Sequence, residues 1–414
     1  MNVLVLNSGS SSVKYELFDM DAAASVLEGE IERVGTERAS EWFELRTGSS
    51  AGRRESAHVE AADHAQALDR VLARLASAEE SGIAAPRAVG HRVVHGGERF
   101  DAPAIIDADV VRGIEQVAVL APLHTGANLA GIAAARERLP DVPHVAVFDT
   151  AFHRTMPPEA CEYALPRELC RAHHIRRYGF HGTSHAYVAH RAAEFLGKQA
   201  DEVDLITLHL GAGASVAAIR AGRSIDTSMG MTPLEGLVMG TRCGDIDPAL
   251  PMLLAELTGR SRVQVNALLN SESGLLGLCG ASDMREVHRL AAAEESAGDP
   301  DGPATRALEL FCYRAKKYVG AYFAVLGGAD AVVFTAGIGE HDADVRARIC
   351  EGLGLLGIEV DEERNAAPGD GERCISTPGS RVAVLVIPTD EEREIARQVL
   401  ACLRDREQRE DEQA

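Results

Sequence analysis

The chain reads as an α/β protein built from two similar domains, and three observations predict it. A short apolar run, Val3 to Leu6, ends in Asn7-Ser-Gly-Ser-Ser-Ser, and Val13 to Phe18 then alternates apolar and polar residues at the period of a strand. The same strand, turn, strand unit returns as Leu205-Ile-Thr-Leu-His-Leu, Gly211-Ala-Gly-Ala-Ser and Val216-Ala-Ala-Ile, with a further turn at Ala221-Gly222. That offset is roughly half of the chain and implies an internal duplication. Helical periodicity with capping signals, around His64 to Ala76 and Ser184 to Phe195, lies between runs that read as buried strands, Ala88 to His91 and His144 to Phe148.

The remaining segments are read by composition. Thr36 to Glu60 is polar, carries the only tryptophan, Trp42, and is expected to be an exposed hairpin or flap. Ala291 to Thr305 is expected to be a loop, and the tail from Arg404 a charged, frayed end.

A length of 414 residues with 46% hydrophobic and 25% charged residues suits two globular domains with buried cores. The formal charge of −21 repels nucleic acid and anionic membranes, so bound phosphate needs a local basic pocket. The first residues lack a basic segment followed by an apolar one, and no run approaches the ~18 apolar residues of a membrane span, which points to the cytoplasm. Eight scattered cysteines without a Cys-x-x-Cys pair fit reduced, mostly buried thiols.

Phosphate binding calls for backbone N–H groups that small residues leave uncovered. The turns Asn7 to Ser12, with Lys14 just beyond, and Gly211 to Ser215 both offer this, although either alone is equally an ordinary hairpin turn. A third turn differs, because the buried strand Ala331-Val-Val-Phe-Thr runs into Ala336-Gly-Ile-Gly-Glu and a helix from about Asp342. A strand, glycine, helix order suits the nucleoside end of a ligand, as it suits simple helix capping. Asp283 and Arg285 would frame a base or ribose, or form a surface ion pair.

Phosphoryl transfer is accelerated mainly by positioned positive charge. Three segments set such groups beside glycine: Gly90-His-Arg92-Val-Val-His-Gly-Gly, Arg176-Arg-Tyr-Gly-Phe-His181-Gly-Thr-Ser-His and Gly240-Thr-Arg242-Cys-Gly-Asp. Asp149 ends a strand where open α/β sheets carry functional groups, or caps the next helix. Pro388-Thr-Asp390-Glu391-Glu392 follows the apolar strand Val382 to Ile387 and offers carboxylates to magnesium, or starts a capped helix.

Together these segments resemble the acetate kinase family, within the acetokinase group that includes propionate and butyrate kinases. The likeness runs collinearly from Asn2 to about Arg397. It is carried by Leu6-Asn-Ser-Gly-Ser-Ser-Ser-Val-Lys-Tyr, His91-Arg-Val-Val-His-Gly-Gly, Val147-Phe-Asp-Thr-Ala-Phe-His, Arg177-Tyr-Gly-Phe-His-Gly-Thr-Ser-His, Asp226-Thr-Ser-Met-Gly-Met-Thr-Pro-Leu-Glu-Gly and Thr335-Ala-Gly-Ile-Gly-Glu.

The resemblance implies a duplicated actin-like, ribonuclease H-like (sugar-kinase-like) two-domain fold with a central cleft. Residues 1–150, completed by a helix over 388–414, would form the first domain. Residues 151–387 would form the second, which binds nucleotide and pairs a homodimer. It implies magnesium, with manganese as a substitute, and ATP or ADP as co-substrate. Asn7 and Glu391 would hold the metal, and Ser10, Ser12 and Lys14 would contact ATP. Around the nucleotide would lie His209, Leu210, Gly211, Ala212 and Gly213, then Asp283, Met284 and Arg285, then Gly337, Ile338, Gly339, Glu340 and His341. Arg92 would bind the acid's carboxylate, with Val94, Leu123, Phe180 and Pro233 around its methyl group. Asp149, His181 and Arg242 complete the catalytic set.

A short-chain acid with a pKa near ~4.3 is already an anion at neutral pH, so Asp149 is expected to orient cations or a metal-bound water rather than remove a proton. The sequence departs from the family pattern at Ala212, Thr125-Gly126, Cys243, His341 and Asp390, and Cys243 is a candidate for inhibitory oxidation. The alternatives are a propionate or butyrate kinase of the same fold, and a non-catalytic nucleotide-binding sensor.

Overall fold

The computed structural model describes the backbone of residues 1–46, 53–119 and 122–413. The chain divides into two compact units, Met1–Phe152 with Asp390–Ala414, and His153–Thr389.

The first unit is built on eight strands: β1 (Asn2–Ser8), β2 (Ser12–Asp19), β3 (Ala24–Glu32), β4 (Ser40–Leu45), β5 (Arg53–His58), β6 (Ala88–Val93), β7 (Ala104–Ile105) and β8 (His144–Phe148). Their order is β5-β4-β3-β2-β1-β6-β8-β7. Neighbours from β1 to β5 pair antiparallel, whereas β6 joins β1, and β8 joins β6, in parallel. Val3 to Leu6 is buried on both faces, as a central strand demands.

One face of this sheet is covered by the helix His64–Glu80. Asp63 caps it by accepting from the Gln66 amide, and Ala67, Leu68, Val71, Leu75 and Ala78 form its buried stripe. The other face packs Val3, Val5, Val145 and Val147 against Ile395, Ala396 and Val399 of the C-terminal helix Glu391–Gln413. A Cβ on Gly90 would lie 2.8 Å from Val399 and 2.9 Å from Ile395, so glycine is what lets this helix settle on β6.

In the second unit the strands are β9 (Asp204–Leu210), β10 (Ala214–Arg220), β11 (Arg223–Thr227), β12 (Ala331–Thr335), β13 (Arg373–Cys374) and β14 (Ala383–Val386). They run in the order β11-β10-β9-β12-β14-β13, with β9, β10 and β11 antiparallel and β12 and β14 added in parallel. The series β11-β10-β9-β12-β14 repeats β3-β2-β1-β6-β8 in order and in direction. This is the duplication of a ribonuclease H-like sheet that the two strand-turn-strand segments foretold.

Three expectations are corrected in part. The hairpin alternative for the Trp42 region is borne out, since β4 and β5 pair antiparallel at the sheet edge with residues 54–58 exposed, but β4 is docked rather than free, because buried Glu41 is fixed by Arg70, Arg74 and the Tyr15 hydroxyl. The segment Thr36 to Glu60 also includes 47–52, which lie outside the described residues. Within 291–305 only 297–302 is loop, since the helices Met284–Ser296 and Pro303–Leu326 close in from both sides. The tail stays helical to Gln413, where its charges sit at helical spacing, as in the Arg406–Glu410 pair.

Candidate active site

In the first unit the functional side chains gather at the C-terminal ends of β1, β6 and β8, where parallel α/β sheets present ligand-binding groups. Arg92 Nη2 donates to Asp149 Oδ2 at 2.5 Å, Arg92 Nη1 lies 3.5 Å from Asn7 Oδ1, and Nε lies 3.5 Å from Glu391. Lys14 reaches Glu392 at 2.8 Å. Asn128 ties the frame together, donating to the Ser8 carbonyl and accepting from the Val94 amide.

Asp149 is 1% exposed. Its bond to Arg92 agrees with an orienting role rather than that of a base. Burial alone would lower the Arg92 and Lys14 pKa values, but Asp149 and Glu391 beside the first, and Glu392 beside the second, outweigh it and raise both. Burial pushes Glu391 up to about 7, with Arg92 pulling the other way and Asp149 and Glu392 adding to the rise.

A half-buried carboxylate so placed is one that a divalent cation would relieve, and Asn7, which like Glu391 borders Arg92, supplies a neutral oxygen, so these residues fit a metal. Glu16, Asp390 and Glu392 also bring ligand atoms within 4.8 Å of one another, a set of which the sequence offered Asp390 and Glu392 but not Glu16. In the hairpin, Gly9 donates to the Ser12 carbonyl, Ser10 is exposed and Ser12 half-buried. The side chain of Leu123 lies outside the described residues.

The second unit gathers a different set around the β9–β10 turn. A Cβ on Gly213 would stand 3.3 Å from His181 Nε2 and 3.6 Å from Arg242 Nη1, and one on Gly211 would stand 3.9 Å from His209 Nε2 and 3.7 Å from the Ala336 methyl. Cation, imidazoles and glycine turn therefore share one place. His181 holds a left-handed backbone, φ 56°, at the start of the helix Gly182–Phe195, and Ala336 does likewise at φ 63°. Non-glycine residues in this region carry strain that clusters at ligand sites.

Arg242 donates only to the Pro233 carbonyl and Met239 sulfur, at 3.3 and 3.7 Å, and among the described residues no carboxylate lies within 4 Å of it. Burial lowers its pKa. A desolvated guanidinium without a counter-ion is prepared for an anion. Arg177 donates to the Thr227, Ser228 and Met229 carbonyls and pairs with Glu235, holding the 226–236 motif in shape.

Other expected residues are placed less tellingly. Asp283 and Arg285 form the exposed ion pair that was the plainer option, with Arg285 91% exposed, while Met284 is buried in the core. The expected helix is present as Ala343–Cys350, capped by Asp342, which accepts from the Val345 amide, and a separate short helix, Ala336–His341, precedes it and takes in Gly337, Ile338, Gly339, Glu340 and His341. Buried Arg346 fixes that short helix through the Gly339 and Glu340 carbonyls. Leu210 and Phe180 are buried, Pro233 and Val94 half-buried, and Ala212 exposed at the turn tip.

Of the cysteines, Cys161, Cys312 and Cys350 are buried and five are only partly so. Burial raises the Cys243 thiol, which reduces its thiolate fraction and opposes the idea of a reactive cysteine there. Sequence reading gave no role to Arg177 or Asn128, nor to the Thr207, His185 and Ser215 side chains behind His181. The one available signal was polar Thr207 and His209 at alternate positions in an otherwise apolar strand.

This strand order, with a half-buried guanidinium that pairs with no carboxylate among the described residues and sits over a glycine turn, fits a phosphate-handling enzyme of the duplicated ribonuclease H-like class. A family model described as "Acetokinase family" matches residues 2–397. The acetate kinase of Syntrophobacter fumaroxidans is 53% identical over 98% of this chain and 97% of its own length, and that of Streptomyces avermitilis is 51% identical over 96% of each. Among solved structures, Porphyromonas gingivalis acetate kinase superposes with a TM-score of 0.88 at 42% identity, over 97% of this chain and 99% of that one. A Francisella tularensis propionate kinase gives 0.87 at 40%, over 96% and 98%. The chain belongs to the acetokinase family and is a kinase whose phosphate acceptor is a carboxylate.

Proposed function

We propose that this protein catalyses reversible, magnesium-dependent transfer of the γ-phosphoryl group of ATP to acetate, giving acetyl phosphate and ADP. The observation that carries the reading is Arg242, half-buried, without a carboxylate partner among the described residues, and set with His181 over the Gly211–Gly213 turn. Arg242 and His181 hold the equatorial oxygens of the moving phosphoryl group, while Arg92, oriented by Asp149, holds the acid. An ionised acetate oxygen forms the new P–O bond as the bond to the ADP oxygen breaks, so no proton need be removed. A divalent ion held by Asn7 and Glu391 would neutralise phosphate charge. Nucleotide contacts are assigned to Lys14, His209 to Gly213 and Gly337 to His341, and the reading places the enzyme in the cytoplasm, where its nucleotide is.

A hydroxamate assay for acyl phosphate, with ATP, magnesium and each of acetate, propionate and butyrate, tests this. Half-buried Val94, two residues from Arg92, is read as the bulky neighbour of the acid's methyl end, so kcat/KM should fall ~10-fold or more with each added methylene. No acyl phosphate from any acid would end the proposal, and a preference for propionate would move it to the second member of the group.

The reading also includes a homodimer. The helix Leu250–Thr258, Leu-Pro-Met-Leu-Leu-Ala-Glu-Leu-Thr, buries none of its residues, leaving Met252 66% and Leu257 73% exposed, and Val263 on the following helix is 72% exposed. An apolar face of this kind on one unit is what a second copy would cover. Leu257→Lys should halve the mass seen in sedimentation without unfolding the chain; an unchanged mass would rule this face out.

A further inference from the structure

Behind His181 runs a chain of buried side chains. Thr207 and His209 lie two apart on β9 and so share a face, and Ser215 on β10 stands opposite His209. The helix Gly182–Phe195 brings His185 onto the same face. Thr207 Oγ1 lies 2.7 Å from His185 Nδ1, His185 Nε2 lies 2.8 Å from Ser215 Oγ, and Ser215 Oγ lies 2.9 Å from His181 Nδ1. Thr207, His185 and Ser215 are wholly buried.

The protons in this chain can point in only one of two directions while His185 is neutral, because a neutral imidazole has one donor and one acceptor. Burial, with His153 and His209 nearby, holds the His185 pKa well below its ordinary value, so neutral it is. If His185 donated to Thr207, the threonine's own hydroxyl proton would be buried without an acceptor, since its only hydrogen-bond partner among the described residues is His185. A buried donor left without an acceptor is disfavoured. In the opposite direction every proton is used: Thr207 donates to His185 Nδ1, His185 Nε2 donates to Ser215, and Ser215 donates to His181 Nδ1.

The geometry points to a Thr207–His185–Ser215 relay that fixes His181 as a neutral imidazole with its proton on Nε2, the atom beside Gly213 and Arg242. These three are positioning residues for the phosphoryl group, a role that rests on the assignment of His181 made above. The relay supplies a hydrogen-bond donor without adding positive charge next to Arg242. The titratable groups facing the pair are His209, stacked on His181 at 4.2 Å between ring centroids, His153, edge-on to His185 at 5.7 Å, and Arg242.

The test uses the whole protein labelled with 15N-histidine, with the His181 ring signals assigned by their loss in His181→Asn. Near pH 8 the ring should be protonated at Nε2 alone. Ser215→Ala should mix the two tautomers and lower kcat ~10²-fold with KM for ATP and acetate unchanged. Its residual activity should be higher at acid than at alkaline pH, because only the imidazolium then guarantees a proton on Nε2, whereas the parent enzyme shows no such dependence. Thr207→Val should shift tautomer and rate in the same direction, and keeps the test alive should Ser215→Ala not fold. A His181 ring protonated at Nδ1 in the parent, or a tautomer untouched in both variants, would overturn the relay. Full activity in His181→Asn would instead remove the assigned role of His181, while the tautomer measurement still reports on the relay.

Discussion

Arg242→Ala is expected to lower kcat by ~10³-fold or more and yet leave the melting temperature unchanged or raised. The two halves of that result have one cause. Arg242 is desolvated, its pKa is lowered by burial, and its partners are a carbonyl at 3.3 Å and a thioether at 3.7 Å. In the free protein this arrangement is a cost, since a charge out of water is compensated only by good partners. The cost is recovered when negative charge accumulates on the transferring phosphoryl oxygens. Lysine would restore the charge without the planar fork, so Arg242→Lys should recover little of the rate. Turnover by initial rates and melting by calorimetry check both halves. A variant that keeps its rate, or that loses rate only because it unfolds, would refute this account.

Much of the framework was legible because burial writes directly into apolar patterning. Val3 to Leu6, His144 to Phe148 and Ala331 to Thr335 lie in strands because unbroken apolar runs bounded by turns have few other uses. The strand-turn-strand repeat disclosed the duplication that the two sheets share. Composition misled where polar residues are used internally. The segment around Trp42 looked exposed because nothing in the sequence says that Glu41 meets Arg70 and Arg74, 29 and 33 positions away. The region from Ala291 looked like a loop because alanine, glutamate and glycine together suit either state, and only the Ala304 and Thr305 amides bound by Glu294 decide where the next helix begins.

In the candidate site, charged residues beside glycine were visible one segment at a time, whereas their supports were not. Asn128 and the relay residues act through bonds between distant segments, which no local spacing encodes. Asp149 is the plainest case. Strand-end position alone left it open as a helix cap, and the 2.5 Å bond to Arg92 supplies a reason for it to be there.

Arg92→Leu is the second large effect, and it should differ from Arg242→Ala in both respects. Arg92 is the cation among Asp149, Glu391 and Glu392, and its own pKa is raised because those carboxylates outweigh burial. Removing it takes away the proposed carboxylate anchor, so KM for acetate should rise ~10²-fold, the scale of a lost buried charge pair. It also leaves buried acids unbalanced, which costs ~3–5 kcal/mol in comparable pairs. The sign of the pH dependence follows from Glu391, raised from 4.5 to about 7 with Arg92 already opposing the rise. A carboxyl that holds its proton more tightly when folded weakens the fold as pH climbs from its unfolded value through its folded one. Without Arg92 the folded value climbs further, so the loss relative to the parent should be small near pH 5 and grow through neutrality. Thermal melts at several pH values, with chelator present so that metal does not substitute for the guanidinium, measure this directly. A deficit that shrinks with rising pH would show that Arg92 does not balance these acids.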